Sequence, residues 1–96
     1  MFARLTTIQG APAKIDDAIR VVENDVIPGV KALDGFKNGY WCADRKSGKM
    51  LTLTLFETEQ ELQASEAAAS QLRKTSTEKL GFEVKNVERY EVIAHV

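Results

Sequence analysis

The sequence is short of nearly every residue type that fixes a chemistry by itself. Its single cysteine, Cys42, cannot close an internal disulfide, and its single histidine, His95, leaves no Cys/His set with zinc spacing. That cysteine usage is expected of a reducing, cytoplasmic setting. No segment approaches the ~20 consecutive apolar residues of a membrane span. The stretch Met1–Gln9 lacks the apolar core of a secretory signal, so a soluble chain with no membrane partner is expected. Neither sign of charge dominates: 13 basic residues face 14 acidic ones, for a net charge of −1, and no overall field gathers a polyanion. The densest basic cluster, Arg45-Lys46 with Lys49, reads as a solvated hairpin tip and not as a nucleic-acid surface. None of the six glycines belongs to a phosphate-cradling loop, and no motif requires a cofactor.

What is present is a foldable pattern. With 44% hydrophobic and 28% charged residues interspersed, residues 1–96 are expected to form one domain, near the lower size limit for a self-sufficient core. Phe2–Gln9, rich in β-branched residues and ended by Gly10-Ala11-Pro12, predicts a strand and a turn. Ile15, Ala18, Ile19, Val22 and Val26 share one side of an amphipathic helix, which Pro28-Gly29 is expected to break. Phe36–Ala43 predicts a second strand, and Asp44–Lys49 a hairpin loop. Met50–Phe56 alternates with Leu51, Leu53 and Leu55 on one face and Thr52, Thr54 and Phe56 on the other. Thr58 and Glu61 have capping-box spacing at the head of a helix running to about Lys79, and Gly81 suits its left-handed cap. Val87–His95 predicts the last strand. The order β-α-β-β-α-β implies an α+β, ferredoxin-like, four-stranded antiparallel sheet with both helices on one face.

Two helices cover one face of such a sheet. The leucine set is expected beneath them. The opposite face then still carries Met50, Phe56 and two threonines, and both faces of the first strand are substantially apolar. Antiparallel sheets with a wet face normally avoid this, so a second copy of the chain is expected to pack sheet against sheet.

The segments Leu33-Asp34-Gly35-Phe36-Lys37-Asn38-Gly39-Tyr40 and Leu53-Thr54-Leu55-Phe56-Glu57-Thr58-Glu59-Gln60-Glu61-Leu62 carry a resemblance. They resemble the second-strand entry and the strand–aromatic–Glu–Ser/Thr–helix junction of the dimeric α/β-barrel superfamily, and within it the antibiotic biosynthesis monooxygenase-like proteins. Phe56 stands where many members carry Trp. The resemblance implies a homodimer with small-molecule pockets, and either a cofactor-independent oxygenase of aromatic substrates or a non-catalytic metabolite-binding or stress-related dimer. Haem-degrading members use an Asn, Trp and His set. Here Ala3 falls at the Asn position, the second helix has no His and Phe56 replaces the Trp, so haem degradation is disfavoured.

Candidate binding residues follow from position and chemistry, whereas no catalytic residue can be assigned. Arg4, on a strand expected to be central, either pairs with Glu91 or Glu57 or orients an anionic or enolate oxygen. Asn38 either donates to a bound carbonyl or caps an edge strand. Tyr40 and Trp41 are adjacent and must point to opposite faces, one under the helices and the other into the barrel; either both are core or one of them walls a flat ligand. Thr54 is expected to share a face with Arg4 near Phe56. Arg4, Asn38, Thr54, Phe56 and one of the two aromatics, Tyr40 or Trp41, therefore form the expected pocket, between the sheet and the two helices or in the barrel mouth, with a small aromatic molecule as ligand. Cys42 is expected to be a small buried apolar residue. His95 is near the chain end, and Ser65, Ser70 and Ser76 lack a nucleophile elbow.

Overall fold

A computed structural model describes residues 1–96. Strand β1 (Phe2–Gln9) leads through a tight turn at Pro12–Lys14 into a helical arm. This arm is made of α1 (Ile15–Val21), a π turn (Val22–Val26) and α2 (Ile27–Lys31). The hairpin β2 (Phe36–Ala43) and β3 (Lys49–Phe56) follows, then α3 (Glu59–Ala64), α4 (Glu66–Leu80) and β4 (Glu83–Glu91). Every pairing is antiparallel and the strand order is β2-β3-β1-β4, the ferredoxin-like sheet.

Pro28 does not break the first helical arm. The widened turn ends with the Ile27 amide donating to the Val22 carbonyl, five residues back. Pro28 thereby falls in the first turn of the resumed helix, where its missing N–H is not needed. The second arm starts as expected. The Glu61 amide donates to Thr58 Oγ1 at 3.1 Å, and the Thr58 hydroxyl donates to Glu61 Oε1 at 3.0 Å. It is interrupted at Ser65, whose hydroxyl donates to the Leu62 carbonyl at 2.7 Å. Gly81 caps α4 at φ 70°, a conformation that costs other residues a Cβ clash. Because the chain turns immediately there, β4 pairs from Glu83 and stops at Glu91, earlier than Val87–His95, and His95 lies exposed beyond it.

Register decides which side chains share a face. One set of cross-strand rows runs Phe36–Phe56–Phe2, then Gly39–Thr54–Arg4, then Trp41–Thr52–Thr6, then Ala43–Met50–Ile8. This set lies beneath the helices. Phe56 is fully buried, and Ile8 and Met50 pack with Ile15, Ala18 and Leu80 from the helical arms. The other set runs Asn38–Leu55–Ala3, Tyr40–Leu53–Leu5 and Cys42–Leu51–Thr7. It faces away from the helices, with Tyr40 58% and Leu51 37% exposed.

The leucine assignment is therefore reversed: Leu51, Leu53 and Leu55 stand on the open face and Phe56 under the helices. The expectation that the largest aliphatics go beneath the helices fails because that side keeps small side chains at its centre. Cys42 is likewise exposed on the open face, not buried.

Candidate functional site

The two central rows beneath the helices hold Gly39, Thr54, Thr52 and Thr6, small groups set between the phenylalanine row and the Met50–Ile8 row. Side chains this short cannot reach the helices. Above them the arms contribute Ala18, Ala69 and the valines of the π turn, which are also short or held back. The result is a cavity of about 80 Å³ between sheet and helices. Trp41 walls its β2 side. Gly39 makes that possible, since a Cβ there would come within 2.7 Å of the indole ring, which lies across this position. Val22 and Val26, spaced by the π turn, close the cavity from above.

Arg4 supplies the polar end. It pairs directly with Thr54 across the sheet and is 3% exposed. Its Nη2 donates to Ser65 Oγ at 2.8 Å and to the Leu62 carbonyl at 3.1 Å, and it lies 2.9 Å from Glu66 Oε1. The guanidinium carbon stands 5.5 Å from the Phe56 ring centroid, a cation–π contact, and Phe56 meets Phe36 edge-on at 5.9 Å. The partner is thus Glu66, not Glu91 or Glu57. Glu57 pairs with Lys37 at 2.9 Å, and Glu91 lies opposite Phe2, whereas Arg4 faces Arg89 in the β1–β4 register. The Nε of Arg4 is buried without any partner.

Glu66 holds more than Arg4. Arg89 grips it with two of its nitrogens, Nε at 2.7 Å and Nη2 at 2.6 Å. Those hydrogen bonds, followed by the hydrogen bond and charge of Arg4, overcome partial burial and pull its carboxyl down to about 2. Arg73, on α4, also lines the cavity. Burial first, and then the positive charges of Arg4 and Arg89, lower its guanidinium pKa from the ordinary value.

Of the expected binding residues, the structure brings Arg4, Thr54 and Trp41 to the cavity, with Phe56 directly behind Arg4. Asn38 and Tyr40 sit in rows on the opposite face and do not reach it. That follows from strand alternation once Trp41 points under the helices. Sequence reasoning missed Arg73, Thr6 and Thr52. Ala69, Arg73, Ser76-Thr77 and Leu80 recur at helical spacing, and that stripe carried the signal for Arg73.

The structure is similar to that of a candidate antibiotic biosynthesis monooxygenase of Deinococcus radiodurans. The TM-score is 0.70 at 14% identity, over 100% of this chain and 96% of that one. The chain has the antibiotic biosynthesis monooxygenase fold. A Streptomyces coelicolor monooxygenase solved with the ligand nanaomycin D shares it, with a TM-score of 0.69 and 15% identity over 93% of this chain and 82% of that one. So does a dimeric ferredoxin-like protein from an uncultured marine organism, at 0.72 and 10% over 99% and 96%. No family model matches the sequence. In sequence the chain is similar to an uncharacterised Mycobacterium tuberculosis protein, 31% identical over 94 residues. That match takes in 98% of this chain but 42% of the relative, so the chain spans less than half of the relative's length. No helix is long and apolar enough to cross a membrane.

Proposed function

We propose that the protein is a homodimeric small-molecule-binding barrel whose ligand enters the cavity between sheet and helices and lies with a flat ring against Trp41. The observation that carries this is the pair of small-residue rows. Thr6, Thr52, Thr54 and Gly39 hold open a space walled by one indole and tipped by guanidinium groups, the usual mix of apolar wall and few polar anchors. Such a lining binds and orients. It contains no histidine, carboxylate or tyrosine to shuttle a proton.

The open face supports the homodimer. Leu5, Leu51, Leu53 and Leu55 form a continuous apolar stripe flanked by Tyr40 and Tyr90, the composition of a sheet that packs on another sheet. A dimeric protein of the same fold points the same way.

A second reading makes the protein an oxygenase of electron-rich aromatics. The shared fold of the S. coelicolor monooxygenase, bound to nanaomycin D, favours it. In that reading the cationic end of the cavity stabilises the substrate as its phenolate or enolate, and the apolar walls exclude water.

One experiment separates the two. Anaerobic titration with 1,4-dihydroxynaphthalene should quench Trp41 fluorescence saturably, and admission of air followed by mass spectrometry of the products reports turnover. Quenching with only the uncatalysed background of oxidation supports binding alone. A protein-dependent oxygenated product makes the chain an enzyme, and the absence of saturable quenching overturns the cavity as the ligand site.

A further inference from the structure

The charges around the cavity do not balance. Arg4 and Arg73 are the charged residues of its wall, and no carboxylate lines it. Just outside, Glu66 is shared between Arg4 and Arg89, so three guanidinium groups meet one carboxylate. Arg73 enters no ion pair and makes no side-chain hydrogen bond; only its carbonyl is used, as acceptor for Ser76 and Thr77. Its half-buried guanidinium is held beside the Arg4 cation, and the one carboxylate near enough to offset this, Glu66, is already taken by Arg4 and Arg89. The second irregularity is at the same end of the same cavity. The Nε of Arg4, on a side chain whose Nη2 is taken by Ser65, Leu62 and Glu66, is a buried donor with no acceptor. Buried donors are almost always satisfied, so an orphan of this kind needs an explanation, and an acceptor brought in from outside the chain supplies one.

From these two facts we infer that the ligand is an organic monoanion, a small carboxylate with an apolar or single-ring body. Its head group sits at the Arg73–Arg4 end and its body lies along the π-turn valines and Trp41. The inference rests on the proposed small-molecule reading and narrows it to a charge class. The lining explains the division of labour. Ile8, Val22, Val26 and Val30 offer only van der Waals surface, whereas Arg73 has all its donors free for a carboxylate, which guanidinium groups bind in paired, planar geometry. Thr52 and Thr54 add hydroxyls that donate to the same oxygens, and Ser76, whose proton goes to the Arg73 carbonyl, accepts from a ring substituent.

The test compares benzoate with benzamide, which share shape and ring but differ in charge, using Trp41 fluorescence and calorimetric titration of the wild-type protein. Benzoate should bind at least about tenfold more tightly than benzamide, the margin expected of charge-assisted hydrogen bonds over neutral ones. In Arg73→Gln the ratio of benzoate to benzamide affinity should fall severalfold toward one, and Arg73→Lys should keep part of it. The wild-type comparison needs no variant, so a poorly folding Arg73→Gln protein leaves the result standing. Equal binding of benzoate and benzamide overturns the anion inference and leaves the small-molecule cavity intact. Saturation by neither compound, together with none by 1,4-dihydroxynaphthalene, removes the cavity reading and this inference with it.

Discussion

Replacement of Phe56 by alanine should destabilise the fold by about 3–5 kcal/mol, the range for removing a buried aromatic ring. Phe56 is fully buried, so the whole ring is lost from packing. It also removes the edge contact with Phe36 at 5.9 Å and the Arg4 guanidinium contact at 5.5 Å, each worth about 0.5–1.5 kcal/mol. These belong largely within the same range, because the cavity left behind and the lost contacts are one event. For a domain of this size, whose total stability is of order 5–14 kcal/mol, such a loss is a large fraction. Phe56→Leu keeps most of the apolar volume and should cost less, about 1–2 kcal/mol. Urea unfolding followed by circular dichroism, at two protein concentrations tenfold apart, gives both values. The losses should be the same at both concentrations, because the contacts lie within one chain. A loss below about 1 kcal/mol for Phe56→Ala, or one that grows on dilution, would place Phe56 at a subunit interface and refute the face assignment.

The complementary substitution is Leu53→Asp on the open face. It should leave the circular dichroism of the subunit intact and halve the mass seen by sedimentation, whereas the wild type should sediment at about twice 10.7 kDa. A dimeric Leu53→Asp protein, or a monomeric wild type, would contradict the packing of sheet on sheet. Glu66 makes stability depend on pH with a definite sign. Its carboxyl is depressed from 4.5 to about 2 in the folded state, so its contribution is present above pH 4.5 and is lost as the pH falls from 4.5 toward 2. Urea midpoints between pH 7 and 3 should show Glu66→Gln less stable than wild type at neutral pH, with the gap closing below pH 4.5. A gap that stays constant over that range would mean the carboxylate contributes no charge-dependent stability.

The order of elements was legible in local signals, each with a short-range cause. Alternation over Met50–Phe56 can only be a strand, since no helix places every second side chain on one face. Thr58 with Glu61 starts a helix because a hydroxyl three residues upstream reaches an unpaired amide, and Gly81 ends one because it tolerates φ 70°. Pro28 misled, since its effect depends on a π turn whose hydrogen bonds are set by what the helix packs against.

Side and partner were not legible. Alternation says that Leu53 and Thr54 point in opposite directions, but not which of them meets the helices. That is decided by how the two crossovers lay the arms on the sheet, and here they cover the threonine and phenylalanine rows. The adjacency of Tyr40 and Trp41 likewise guaranteed opposite faces and left the choice between them open. Arg4 was recognisable from the sequence as a charge on a central strand. Its partner Glu66 lies sixty-two positions away on a helix, and Arg73 joins the same cavity only when that helix docks. Local sequence determines which conformations a segment prefers, through hydrogen bonds and rotamers within a few residues. Charges and cavities are sums over segments far apart in the chain, so only the packed structure decides where they fall.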